Sequence, residues 1–184
     1  HGKDSYNESL HIWRLTDGKM IEFAAMQYEK DKSNFQGRPH DLYGFDEAPE
    51  FAESQIVFVS AWNRTTDPNQ RVRVILTVNP PIDEAGAWIV RRYAPWLDKQ
   101  HPHPAKPGEL RWFATLDGKE TECKDGAMFE YKGDAVYPRS RTFVPAKLDD
   151  NPYSDNRYRS VLQSLPEPLR SQLLNGDFDA ANMP

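Results

Sequence analysis

A single cysteine, Cys123, among 184 residues leaves no partner for an internal disulfide. No apolar run approaches the roughly 18 residues that a membrane-crossing helix needs. The N-terminal stretch also lacks the charged and then apolar pattern of a secretory signal, so the simplest compartment is the cytosol. Lys and Arg number 23 against 28 Asp and Glu, a formal net charge of −5, which excludes a surface uniformly basic for nucleic acid while leaving local basic patches open. Internal repeats and low-complexity tracts are absent. His101-Pro102-His103-Pro104 has no neighbouring cysteine to complete a zinc set and reads as a stiff exposed loop.

What is present reads as one soluble α/β domain or a domain with an insertion, whose 15 prolines and 38% hydrophobic content point to many turns rather than a helical bundle. His11 to Leu15 and Met20 to Ala24 alternate on either side of Asp17-Gly18, which predicts a β-hairpin. Leu110 to Leu116 and Glu120 to Glu122 repeat that pattern around Asp117-Gly118. Gln27 to Pro39 is polar and reads as a loop. Pro49 to Trp62 predicts a helix with proline near its start. Gly86 to Ala94 predicts another, with Trp88 and Tyr93 as core residues. Arg141 to Pro145 predicts a short strand. From Asp155 to Leu174, leucines near helical spacing are interrupted by Pro166 and Pro168, which predicts two short helices.

The chemistry concentrates in His40 to Ala48. A short apolar run ending in Asp46 and Glu47 is how a buried strand delivers carboxylates to a sheet edge, where a nucleotide sits. As a Walker B strand, it would use Asp46 to hold magnesium, directly or through water, and Glu47 to address the water that attacks a γ-phosphate. The alternative is a strand that merely ends in two solvated acids. A second apolar run, Val72 to Val78, stops at Asn79-Pro80-Pro81, where proline forbids further ladder bonding. Two parallel strands joined by a helix make the βαβ unit of a nucleotide-binding sheet.

These strands resemble, in order with Ser140 to Ala146, Asp150-Asn151-Pro152-Tyr153 and Leu173 to Phe178, the ATPase domain of the large terminase subunit of tailed bacteriophages and prophages. The resemblance runs from about Gly18 to Phe178. It implies a RecA- or ASCE-type P-loop NTPase sheet with added hairpins and C-terminal short helices, formed by residues 1–178, with 179–184 opening a linker toward a nuclease domain. It also implies ATP and magnesium as ligands and hydrolysis that packages double-stranded DNA into a procapsid. The implied partners are the portal protein, the small terminase subunit and further copies in a ring, in the cytoplasm of a bacterial host and away from any membrane. By position, Asp46 resembles the magnesium acid, Glu47 the catalytic base, and Thr77 and Asn79 the coupling motif that senses the γ-phosphate. In some members an arginine finger precedes the glycine of the loop ahead of Walker B. Here that place is Gln36, and Arg38, just after Gly37, is the candidate.

The pattern departs from the family in a further respect. Gly-x-x-x-x-Gly-Lys-Ser/Thr, whose backbone N–H groups cradle phosphates, does not occur. The Gly-Lys pairs are Gly2-Lys3, Gly18-Lys19 and Gly118-Lys119, and the last two sit in predicted hairpin turns. The expectation is therefore the second part of an ATPase domain, with little hydrolytic activity in isolation. A superfamily 2 helicase-like translocase shares the Asp-Glu-Ala strand and is one alternative, and a non-enzymatic adaptor domain is another.

Overall fold

A computed structural model describes residues 5–153 and 155–179. It is a mixed α/β structure of several small sheets and short helices, and the chain divides into two compact units, His1–Tyr43 with Phe51–Ile75, and Gly44–Glu50 with Leu76–Pro184. Each unit is assembled from two separate stretches of chain. No helix among the described residues is long and apolar enough to cross a membrane. The predicted linker at 179–184 lies, Asp179 apart, outside the described residues.

In the first unit, β1 (Ser5–Asn7), β2 (Ile12–Arg14) and β3 (Met20–Glu22) form an antiparallel sheet. The predicted Asp17-Gly18 turn joins β2 to β3, with Gly18 at φ 88° and Asp17 accepting from the Lys19 amide at 3.1 Å. Strand β1 was not predicted, because its three residues carry no apolar alternation. Tyr6 stands opposite Trp13, and Trp13 opposite Ile21, so these side chains share one face of the pleat.

The polar stretch read as a loop contains a 3-10 helix at Glu29–Phe35. Its entry is fixed by the Asp31 carboxylate, which accepts from the Tyr28 amide at 2.8 Å. Its anchor is Gln55, buried on helix α1 (Glu53–Ser60), which donates to the Tyr28 carbonyl at 3.1 Å. This is a tertiary contact that local composition could not announce. Helix α1 starts later than the predicted Pro49, because Ala52 is extended and the chain before it makes a separate 3-10 turn, Ala48–Glu50. Ile56 and Val59 carry its buried face.

The predicted Walker B strand is β4 (Leu42–Phe45), and the second apolar run is β5 (Arg73–Leu76). They form a two-stranded parallel sheet, and both strands run on from the first unit into the second. The wider parallel sheet expected from a P-loop NTPase is not seen among the described residues. Beyond β5 the described pairings are antiparallel, two of the three through tight turns, which can only return a strand antiparallel to its neighbour.

The second unit continues with a 3-10 turn at Glu84–Gly86, then α2 (Trp88–Arg92) and α3 (Ala94–Leu97), which together replace the single predicted helix. The break falls at Tyr93, before the proline of α3. Strands β6 (Arg111–Leu116) and β7 (Lys119–Cys123) make the second predicted hairpin. An unpredicted hairpin, β8 (Phe129–Tyr131) with β9 (Asp134–Val136), follows it. Its turn places Lys132 and Gly133 at positive φ.

The strand predicted at Arg141 to Pro145 sits earlier, as β10 (Arg139–Arg141) pairing with β6. Residues 142–144 leave the ladder, and the Phe143 ring turns onto Tyr93 and Phe178, with centroids 5.8 and 5.6 Å away. The two C-terminal helices are α4 (Asn156–Gln163) and α5 (Leu169–Asn175), separated at the prolines as expected. Trp88, Ile89, Phe113, Ala114 and Leu162 supply the apolar core of this unit.

Candidate functional site

Asp46 and Glu47 follow directly on β4, and Thr77 follows directly on β5. Parallel strands place their carboxyl ends at the same edge, so residues 31 positions apart in sequence meet there. Thr77 makes four hydrogen bonds to the stretch 45–48. Its amide donates to the Phe45 carbonyl at 3.0 Å, continuing the ladder one step past the strands, and its carbonyl accepts from Ala48 at 2.9 Å. Its hydroxyl donates to Asp46 Oδ1 at 2.5 Å and accepts from the Glu47 amide at 3.0 Å.

That grip accounts for an unusual backbone. Glu47 has φ 52°, in the left-handed region that a residue with a side chain rarely adopts. Such a conformation persists where surrounding bonds over-determine it, and these positions cluster at functional sites. The turn closes with the Glu50 amide on the Glu47 carbonyl at 2.9 Å, and Ala48 is fully buried beneath it. The outcome is that Asp46 and Glu47 are both exposed, on a backbone held from below.

Among the described residues, Thr77 is the donor that Asp46 has, and the Glu47 carboxylate makes no hydrogen bond or ion pair. The free oxygens are hard donors of the kind magnesium takes. Magnesium is usually bound by one or two carboxylates with phosphate oxygens and water, not by an all-protein cage. No group of three or more potential His, Cys, Asp or Glu ligands occurs among the described residues. Asp46 is the protein oxygen that could hold such a metal, with no fuller ligand set beside it among the described residues.

Two further predicted residues sit differently. Asn79 is exposed and lies beyond the end of β5, in irregular chain before the buried Pro80 and Pro81, so the strand alternation expected to align it with Thr77 does not extend that far. Arg38 belongs to the first unit. There it pairs with Glu22 of β3, and its guanidinium stands 5.9 Å from the centroid of the Phe35 ring. The same Glu22 faces His40 Nε2 at 3.3 Å.

Gly86 is a site-supporting residue that the sequence did not single out. A Cβ at Gly86 would come 2.7 Å from Pro81 Cβ and 3.0 Å from Pro49 Cβ. The turn after Glu47 and the segment after Thr77 are thus both packed against one glycine. Only the prolines flanking the two motifs hinted at so close an approach.

Compared with known proteins, the chain matches no family model, no curated protein and no solved structure.

Proposed function

We propose that this chain is part of the ATPase motor of a terminase large subunit, hydrolysing ATP to drive double-stranded DNA into a procapsid. The observation that supports the reading best is the Thr77–Asp46 hydrogen bond across two parallel strand ends, with the neighbouring Glu47 carboxylate free and exposed. A hydrolytic site of this class needs a metal-holding acid and a water-addressing acid side by side at a sheet edge, with a polar residue on the adjacent strand.

In this reading Asp46 binds magnesium, which supplies charge neutralisation at the β- and γ-phosphates. Glu47 orients the attacking water and takes its proton. Thr77 holds the Asp46 carboxylate in place and fixes the turn that aims Glu47. Asn79, exposed two positions beyond Thr77, would be the polar sensor, reaching the phosphate from irregular chain rather than from the strand. Arg38 would act on a neighbouring subunit's nucleotide in an assembled ring, and it would have to leave Glu22 to do so. The phosphate-cradling loop would come from sequence outside this chain. The portal protein, the small terminase subunit and DNA are the partners this assignment brings.

The test is Glu47→Gln in the full-length protein. The amide keeps the size of the side chain but cannot accept the proton, so nucleotide binding is retained while turnover falls by about 100-fold or more. Unchanged turnover would remove Glu47 from the reaction, and absence of nucleotide binding and turnover in the unsubstituted full-length protein would leave an adaptor domain with solvated strand ends.

A further inference from the structure

Gln172 is the more deeply buried of the two buried polar side chains among the described residues, 2% exposed on helix α5. A buried amide needs a partner, since an unsatisfied one costs as much as it would gain. Its Nε2 donates to the carbonyl of Pro81 at 3.0 Å, across 91 residues of sequence. Pro81 ends the segment that begins at Thr77, only four positions away.

The stretch between them is stiff. Pro80 and Pro81 are adjacent and buried, and each has its φ fixed by its ring. The same Pro81 rests on Gly86, where there is no room for even a methyl group. A hydrogen bond at the Pro81 carbonyl therefore restrains the whole segment, including the Thr77 hydroxyl that holds Asp46 and the Glu47 amide.

We infer that Gln172 is a positioning residue for the Asp46–Glu47–Thr77 site, tying its second strand end to the C-terminal helix α5 so that a movement of α5 is felt at the site and the reverse. This rests on the hydrolytic reading given above. Such coupling is reciprocal: the free energy by which a ligand at the site favours one placement of α5 equals that by which this placement favours the ligand.

The experiment uses the full-length protein carrying Gln172→Met, which keeps the side chain's length and burial but removes the donor, and Gln172→Glu as a second variant. Turnover, KM for ATP and backbone amide exchange at Thr77 and Asn79 are measured on protein shown to be folded, beside Glu47→Gln. The expected result is kcat lowered about tenfold, the scale of one lost hydrogen bond, with KM for ATP within about twofold of its original value and faster exchange at both amides. A purely structural residue would lower the melting temperature and leave kcat and exchange at Thr77 unchanged, and that result overturns the inference. If Glu47→Gln lowers turnover and neither Gln172 variant does, the inference fails while the hydrolytic reading stands. If Glu47→Gln has no effect on turnover, the hydrolytic reading fails and takes this inference with it.

Discussion

Two carboxylates in the second unit are held in opposite ways. Glu120, on β7, is saturated by cations: Arg141 donates to Oε1 at 2.7 Å and to Oε2 at 2.5 Å, and Arg92 stands 3.3 Å away. Arg141 is itself enclosed, 4.3 Å from the Phe113 centroid and 5.4 Å from that of Tyr93, and it also donates to the Arg92 carbonyl at 2.6 Å. Asp46 instead has one hydroxyl donor, no cation among the described residues, and an open face. A carboxylate that only supports the fold is best served by complete pairing, because an unpaired charge in partial burial is costly. One left with free oxygens on a strained turn is open to water or to a ligand. The difference separates a paired, fold-supporting acid from an open, solvent-facing one without reference to any relative.

The comparison breaks if the two acids respond alike. Removing Arg141 should have the largest effect. Arg141→Ala deletes both guanidinium bonds to Glu120 and the contact with the Phe113 ring, at a cost of about 3 kcal/mol by analogy with a broken, mostly buried pair. The urea midpoint measures it, and a loss below about 1 kcal/mol would place Arg141 with ordinary surface pairs.

A smaller effect should appear with pH. Burial acts to raise the Glu120 pKa, but the Arg141 hydrogen bond and the charges of Arg141 and Arg92 outweigh it, leaving the carboxyl below its usual 4.5. A lowered folded value means that this contribution is fully present above about pH 4.5 and is lost as pH falls through the lower value. The stability gap between the parent and Arg141→Ala should therefore narrow in acid, and a gap constant down to pH 2 would show that the pairing contributes little beyond packing.

The smallest stability change belongs to Asp46→Asn, expected within about 0.5 kcal/mol because the side chain is exposed and its oxygen can still accept from Thr77. On the proposed hydrolytic reading, its ATP turnover in the full-length protein should nevertheless collapse, because the charge proposed to hold magnesium is gone. A variant that unfolds instead would place Asp46 with Glu120.

Much of the local architecture was legible in the sequence. Asp-Gly between alternating runs marks both predicted hairpins, because the residues there tolerate positive φ; Asp117 itself has φ 49°. The strand ending in Asp46 announced itself by an apolar run that stops at acids, and the C-terminal helices by leucine spacing and prolines. What stayed hidden is set by contacts across long stretches of sequence. The 3-10 helix at Glu29–Phe35 depends on Gln55, and the loss of strand character after Arg141 depends on aromatic partners elsewhere in the unit. Within the site, Asp46, Glu47 and Thr77 were readable from their strands, but the bond joining them spans 31 residues. Gln172 carries no local signal, because a glutamine on a short helix resembles any solvated one until its partner is known. The extent of the parallel sheet also could not be read, since a βαβ pattern predicts a neighbour for each strand without predicting how many follow.

The chain passes from one unit to the other after Tyr43, after Glu50 and after Ile75. The seven residues from Gly44 to Glu50 are thus an excursion that the first unit's sequence makes into the second. No single cut releases either unit whole: cleavage after Ile75 would free a C-terminal piece stripped of Asp46 and Glu47, and cleavage after Tyr43 would leave it encumbered with α1. During synthesis the acids emerge before the bulk of the unit they belong to, so the pair must wait, attached to an earlier neighbour, until Thr77 and the helices beyond it have been made. Excision, permutation or domain grafting of this segment would have to respect that interleaving.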